Sequence, residues 1–187
     1  DNIEKAKFDD NIIAIYINSP FVNAGLSQTE EIRNKLLEFK KTGKPIIAYS
    51  EAYSIKNYFL ASVADKIYMN PLGVIDHKGL SATVMFFKGL LEKLNIDLQI
   101  FRLGKFKSAI EPFTLDKMSN ENREQLKLML NSINNNIMDS ISSQRQIPFE
   151  MVKKHANQLT LNSAEICLEK GYVCLLYTSP SPRDSDS

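Results

Sequence analysis

A lysine within residues 104–113 (GKFKSAIEPF) is the residue whose type and position most suggest chemistry. The preceding stretch, residues 97–101, alternates polar and apolar side chains and predicts a half-buried strand, from which Gly104 permits a sharp exit. A side chain just beyond a strand lies where α/β sheets bind their ligands. Pro112 lacks an N–H group, so a helix that begins nearby must be short or bent. Lys107, held on this constrained connection, is therefore the candidate catalytic residue.

Two neighbours of this lysine could act with it. The Ser108 hydroxyl could orient the amine of Lys107 through a hydrogen bond, although a serine after a turn often bonds its own backbone instead. Glu111 could pair with the lysine, but a nearby carboxylate would raise the pKa of the amine and oppose its use as a base. A helix-start role ahead of Pro112 is the simpler interpretation of Glu111.

Length and composition indicate one ordinary globular domain, since the 187 residues are 43% hydrophobic and 24% charged. A net charge of +1 gives no sign of nucleic-acid binding, and no apolar run reaches the roughly 18 residues of a membrane span. The cysteines and histidines lack the spacing of metal or catalytic sites, so we expect no metal and no cofactor. Cys167 lies in the apolar stripe of a predicted helix, which indicates a buried structural thiol.

Strand and helix signals alternate along the chain. Apolar, β-rich runs predict strands at residues 11–17, 45–49, 66–69 and 97–101. Apolar periodicity and breakers predict helices over residues 27–43, 54–64, 84–94, 119–141, 148–157 and 162–170. Ser27 and Glu30 form a capping-box pattern, Ser119 is a predicted cap, and residues 54–64 are apolar around most of the helix, which indicates burial. The alternation predicts an α/β fold with a parallel sheet.

The last residues differ in kind from the rest. Residues 174–184 (CLLYTSPSPRD) match the translation of a nucleotide string that resembles a transposon-end sequencing adapter. We therefore expect residues 174–187 to be a disordered, non-native tail and residues 1–173 to be a truncated native domain. A native tail rich in serine and proline is the alternative, and the codons of the gene would decide between the two.

Four short segments, taken in order, carry a resemblance to a known family. They are residues 43–45 (GKP), 53–67 (YSIKNYFLASVADKI), 70–71 (NP) and 107–113 (KSAIEPF). They resemble the amino-terminal half of the long form of the signal peptide peptidase A family, also called protease IV, over about residues 1–173. The resemblance implies a fold similar to the spiral of ββα units in ClpP and crotonase.

The resemblance also implies a reaction, amide hydrolysis by a serine and lysine pair with Lys107 as the general base. A serine hydroxyl is a poor nucleophile until a base takes its proton, and a neutral lysine amine can be that base. The free amine has a pKa near 10.4, which must fall to roughly 7 or 8 for work near neutral pH. That shift corresponds to about 4 kcal/mol, so the site must be buried and well packed.

The serine of the pair has no clear match in this chain. The family places it in the carboxy-terminal half, within an Ala-Ser-Gly-Gly segment that also helps to bind the oxyanion. The corresponding helix start here is residues 53–56 (YSIK), and the Ser-Pro-Gly-Gly after the family's first strand is replaced by residues 19–22 (SPFV). Ser54 could be a nucleophile in its own right, but a helix N-cap is the simpler interpretation. The resemblance implies that another half carries the nucleophile and that this fragment alone is inactive.

The resemblance implies a biological setting as well. It describes a bacterial, membrane-anchored homo-oligomer on the extracytoplasmic face that degrades residual signal peptides, with its anchor outside this fragment. A non-catalytic binding or assembly domain of the same fold is the alternative. An acyl-CoA crotonase is disfavoured, because the chain has neither a paired oxyanion signature nor an acidic base pair.

Overall fold

The computed structural model describes residues 2–99 and 108–178. The chain divides into two compact units, which are described separately. The sheet unit comprises Asp1–Gly79 and Ile137–Ser187, and the helical unit comprises Leu80–Asn136. The predicted domain boundary at residue 173 is not tested by this division and stays a prediction.

Parallel strands form the centre of the sheet unit. The strands are β1 (Ile15–Asn18), β2 (Ile46–Ser50), β3 (Tyr53–Ser54), β4 (Lys66–Met69), β5 (Ile75–Asp76) and β6 (Leu175–Leu176). Four of them form one sheet in the order β1-β2-β4-β6, and β3 pairs with β5 in a second sheet. Every pairing is parallel. Together with the intervening helices, this arrangement confirms the predicted α/β class.

Helices connect and flank these strands. They are α1 (Asn2–Phe8), α2 (Leu26–Lys40), α3 (Ile55–Ala61), α4 (Lys88–Lys93), α5 (Glu111–Thr114), α6 (Asn120–Arg145), α7 (Phe149–Asn157) and α8 (Ala164–Glu169), with a 3-10 helix at Ser108–Ile110. Six of the eight were predicted with nearby boundaries. The helix predicted over residues 84–94 is shorter than expected, and α1 was not predicted.

The predicted buried helix over residues 54–64 is confirmed by α3. Its Tyr58 is fully buried, and the phenol donates a 2.7 Å hydrogen bond to the carbonyl of Tyr172. That bond matters because a buried hydroxyl without a partner would cost about 1–3 kcal/mol. The apolar body of the side chain fills the core while its polar end is satisfied.

The start of α2 differs from the prediction. The capping box was expected at Ser27 and Glu30, but the helix begins earlier, with Gly25 as its N-cap. The Gly25 N–H donates to Oε1 of Gln28 at 3.0 Å, so glutamine supplies the acceptor that the box requires. The predicted pair is therefore wrong, because Ser27 already lies inside the helix.

Two strand predictions also change. The strand predicted over residues 11–17 is confirmed only as Ile15–Asn18, since pairing starts opposite Ile46 and the preceding Pro45 has no N–H to continue the ladder. Residues 97–99 form no strand, so the strand predicted over residues 97–101 is wrong in this part, while residues 100 and 101 lie outside the described residues. A strand needs a hydrogen-bonded neighbour, and the described residues of the helical unit contain none.

The expectation of disorder from residue 174 onward is wrong for residues 174–178. The Cys174 N–H donates to the carbonyl of Ile67 at 2.8 Å, and the Tyr177 N–H donates to the carbonyl of Met69 at 2.8 Å. The reason is that β4 would otherwise expose an unpaired edge, to which backbone groups can bond whatever their side chains. The adapter origin of residues 174–187 stays a prediction, and residues 179–187 lie outside the described part of the chain.

Candidate active site

The residue with the strongest claim to catalysis, Lys107, lies outside the described residues. The structure resumes at Ser108, a half-buried residue that opens the 3-10 helix Ser108–Ile110. That helix runs directly into α5 at Glu111. The orienting role considered for Ser108 therefore stays a prediction, whereas the described residues show how the segment after Lys107 is held.

The carboxylate of Glu111 holds this segment to the start of α6. Its Oε1 accepts a hydrogen bond from the Ser119 hydroxyl at 2.6 Å. Its Oε2 accepts from the Ser119 backbone N–H at 3.2 Å and from Nδ2 of Asn122 at 2.9 Å. Hydrogen bonds to an ionised acceptor are about twice as strong as neutral ones, so these contacts, called the Glu111 cluster below, form a firm anchor.

The same cluster completes the cap of α6. Ser119 Oγ accepts from the Asn122 N–H at 3.1 Å, which confirms the predicted N-cap. In a capping box, the third helical residue returns an acceptor to the N–H of the cap. Here that residue is Asn122, and Glu111 supplies the acceptor from α5. The prediction that Glu111 starts a helix is confirmed, but its hydrogen-bond partners were not predicted. The sequence did contain a signal for them: Ser119 is a cap without a glutamate or glutamine three residues later, so its N–H needs an acceptor from elsewhere.

A second set of contacts ties α5 to α4 within the helical unit. The Phe87 N–H donates to the carbonyl of Pro112 at 2.6 Å. The rings of Phe87 and Phe113 stack with centroids 5.8 Å apart and planes inclined by 24°. Lys88 Nζ lies 3.1 Å from Oδ2 of Asp116, an exposed pair of small energetic value. The segment that follows Lys107 is thus held at both α4 and α6.

The start of α3 was the other candidate for chemistry. Ser54 is exposed, and its Oγ accepts from the Asn57 N–H at 3.2 Å, which confirms the N-cap interpretation. Lys56 Nζ donates to the carbonyl of Ala24 at 2.6 Å, and Asn57 Nδ2 donates to the carbonyl of Ser19 at 2.8 Å. The side chains at this helix start therefore bind the loop after β1. Within residues 2–99 and 108–178, no base is hydrogen-bonded to the Ser54 hydroxyl.

The two histidines and Cys167 are buried, which the sequence had indicated for Cys167. His155 Nδ1 lies 3.1 Å from the Tyr172 hydroxyl. Burial, together with the nearby His155, lowers the pKa of His77 to about 4. Burial likewise raises the pKa of the Cys167 thiol to about 11, which keeps it protonated and unreactive at neutral pH.

The described residues contain neither a metal-binding group of side chains nor a membrane-spanning helix. No three His, Cys, Asp or Glu side chains of residues 2–99 and 108–178 are grouped so that they could hold a metal ion. None of the helices in that part of the chain combines the length and the apolar character needed to cross a membrane.

Several known proteases resemble this chain over most of its length. Protease 4 of Haemophilus influenzae is 38% identical over 179 residues, which cover 91% of this chain and 29% of that protein. Protease 4 of Salmonella typhi is 38% identical over 146 residues, covering 78% and 24%. The chloroplastic serine protease SPPA of Arabidopsis thaliana is 32% identical over 158 residues, covering 84% and 23%. The chain thus spans about a quarter of the length of these relatives.

A family-level comparison covers the same region. The sequence profile of Peptidase family S49 matches residues 38–179, which is more than half of the chain. The matched range contains the Glu111 cluster and the start of α3, and it extends through β6. These matches confirm the resemblance predicted from the four short segments: the chain belongs to peptidase family S49.

Proposed function

We propose that this chain supplies the general-base lysine of a serine peptidase that works through a Ser/Lys pair. One observation carries the proposal: Lys107 lies in the matched range 38–179, in the segment KSAIEPF that resembles the lysine motif of signal peptide peptidase A. The serine would come from a carboxy-terminal half. The relatives, of which this chain covers 23–29%, have ample further length to supply it.

The proposed reaction assigns Lys107 two proton transfers in each half-reaction. The neutral amine takes the proton of the serine hydroxyl while the oxygen attacks the carbonyl carbon of the peptide bond. The resulting ammonium gives that proton to the departing amine as the C–N bond breaks and an acyl-enzyme remains. Water then attacks the ester, losing its proton to the lysine, and the serine leaves with a proton returned by the same group.

The substrate and setting belong to the same proposal. We assign residual signal peptides as the substrates, a homo-oligomer as the active form, and the extracytoplasmic face of a bacterial membrane as the location. Their support is the resemblance of the chain to the signal peptide peptidase A family. The similarity to Protease 4 and to the serine protease SPPA supports peptide-bond hydrolysis in general.

The direct test replaces the proposed base in the full-length protein. Lys107→Ala should lower kcat/KM for an unstructured peptide by roughly 100-fold or more, because it removes the proton acceptor. Lys105→Ala is the matched control, since it removes the same side chain two positions away and should retain activity. Full activity in Lys107→Ala, with a native circular dichroism spectrum, would eliminate the mechanism.

A non-catalytic binding or assembly domain is the second candidate function. The observation that favours it is the start of α3, where Ser54 acts as an N-cap and Lys56 is engaged by the carbonyl of Ala24 at 2.6 Å. The isolated chain should therefore not hydrolyse peptides under either proposal. If the isolated chain hydrolysed peptides and Ser54→Ala abolished that activity, this expectation would be overturned. A full-length protein without peptidase activity would favour the binding domain.

A further inference from the structure

We propose that one face of the sheet β1-β2-β4-β6, called the tyrosine face below, is covered in the full-length protein by a further part of the same polypeptide. The face is formed by four side chains that β1, β2 and β4 present on the same side, namely Tyr16, Ile47, Tyr49 and Tyr68. The partner that fits it is an apolar, uncharged segment with hydrogen-bond acceptors for the phenol groups. This inference concerns the sheet unit alone and holds whichever residue is the catalytic base.

The pairing of the strands shows which residues share a face. Paired residues of a parallel sheet project to the same side, so Tyr16 and its partner Ile47 share a face. Tyr49 lies two residues after Ile47 and therefore shares that face with its own partner, Tyr68. The residues that alternate with these are buried on the opposite side, namely Ile46, Ala48, Ile67 and Met69. The opposite side is therefore packed, whereas Tyr16 on the tyrosine face is 59% exposed.

The exposure of the tyrosine face is unusual for a parallel sheet. Such sheets occur almost only with both faces covered, because the crossovers between their strands pass over the faces. Together with Tyr177, the face lines an open cleft of about 310 Å³ whose described lining is aromatic or aliphatic throughout. Lys66 projects to the same side from the start of β4 but does not line the cleft. An apolar, uncharged segment therefore matches the cleft better than a charged ligand does.

Tyr177 shows what kind of group the tyrosine face accepts. Its backbone N–H donates to the carbonyl of Met69 at 2.8 Å, so its segment lies along the edge of β4. Its ring meets the ring of Tyr49 edge to face, with centroids 6.1 Å apart and planes inclined by 83°. This is a favoured geometry of aromatic pairs. The face thus binds an aromatic side chain that arrives from another segment, while Tyr16, on the edge strand β1, stays largely open.

The occupant is assigned to the same polypeptide because of the length of the relatives. This chain spans 23–29% of Protease 4 and SPPA, so most of each of those proteins lies outside the matched region. A segment joined to the sheet by the chain has an effective concentration of about millimolar, which favours it over a separate molecule. Aromatic residues are enriched and charged residues depleted in the cores of interfaces, as in this cleft. A permanent contact within one polypeptide therefore fits both observations.

The principal experiment compares the accessibility of Tyr16 in the 187-residue chain and in the full-length protein. Tetranitromethane nitrates accessible phenols, and peptide mass spectrometry gives the nitration rate at each tyrosine. The rate at Tyr16 should fall by about tenfold or more in the full-length protein, because nitration there requires local opening. Tyr53, which is 1% exposed, is the internal control and should react slowly in both proteins. Equal rates at Tyr16 in the two proteins would overturn the proposal.

A photocrosslink from the same position identifies the occupant. In the full-length protein, p-benzoylphenylalanine in place of Tyr16 should give a product of monomer mass whose crosslinked peptide lies outside residues 1–187. A product of dimer mass, a crosslink to residues 80–136 or no crosslink at all would overturn the proposal, the first two by assigning the face to a second copy or to the helical unit. The same amino acid in place of Phe8, which is 78% exposed on α1, is the matched control. Crosslinking from Phe8 to the same peptide with equal yield would also contradict the proposal. Neither experiment measures peptidase activity, so both outcomes are independent of the catalytic assignment.

Discussion

The two halves of α6 carry the same apolar repeat but differ in what covers it. In the sheet unit, Ile137, Met138 and Ile141 are 3%, 2% and 0% exposed. In the helical unit, Leu128 and Met129 are 70% and 52% exposed. Periodicity predicts which face of a helix is apolar, but burial requires another element against that face. A single helix therefore serves as core in one unit and as an anchor for polar contacts in the other.

The comparison extends to the units as wholes. No residue of 80–99 or 108–136, the described part of the helical unit, is buried. Its described contacts include the Glu111 cluster, the stacked rings of Phe87 and Phe113, and exposed ion pairs such as Lys88 with Asp116. The sheet unit instead buries residues such as Phe39, Ile67 and Val152 completely. Burial of apolar side chains therefore stabilises the sheet unit more than it stabilises the described part of the helical unit.

The largest expected effect compares two truncations in α6. Ile141→Ala should reduce the free energy of unfolding by about 2–5 kcal/mol, because it leaves a cavity at a fully buried site. Leu128→Ala, in the same helix at a 70% exposed site, should change it by less than about 0.5 kcal/mol. Urea unfolding followed by circular dichroism gives both values. Equal losses of unfolding free energy would show that Leu128 is packed as closely as Ile141. The two halves of α6 would then not differ.

The next effect is a pH dependence confined to the sheet unit. The pKa of His77 is about 4 in the folded protein and near 6.5 when unfolded, because the ring is 3% exposed and close to His155. In the unfolded chain His77 therefore binds a proton below pH 6.5, whereas in the folded chain it stays neutral until about pH 4. Stability should be complete above pH 6.5 and fall by up to about 3 kcal/mol as the pH drops towards 4.

His77→Leu isolates this contribution, since leucine cannot titrate. The difference in unfolding free energy between His77→Leu and the original chain should vary with pH between 6.5 and 4 and be flat above that window. A difference that is constant from pH 8 to pH 4 would mean that His77 takes up its proton equally in both states. The buried environment assigned to its ring would then be wrong.

The smallest effect concerns the cap of α3. Ser54→Ala should reduce the free energy of unfolding by about 1 kcal/mol, because the Asn57 N–H loses its acceptor at 3.2 Å. Ser54→Asp should retain most of the stability, since aspartate is an equally good N-cap. The midpoints of thermal unfolding rank the stabilities of the original chain and the two variants. An unchanged midpoint in Ser54→Ala would show that Ser54 does not cap the helix and would reopen its assignment.

Local signals predicted a large part of the fold and some of the candidate site. The cap at Ser119 and the buried helix α3 follow from patterns within a few residues, because capping and amphipathicity are local properties. The strand predicted over residues 97–101 did not form in its described part, since pairing depends on a neighbour that periodicity does not supply. The partners of Glu111 were missed for a similar reason, as they lie 8 and 11 residues farther along the chain.

By itself, the sequence determined the α/β alternation, the start of α6 and the family resemblance centred on Lys107, because each depends on the order of nearby residue types. Tertiary structure alone decided that Leu128 is exposed while Ile141 is buried, and that Glu111 binds α6. It also decided that residues 175–176 pair with β4. The physical reason is the same in all three cases. The sequence shows that a face is apolar, that a carboxylate can accept hydrogen bonds or that a strand edge is unpaired, but only the folded chain brings up the group that packs against it or bonds to it.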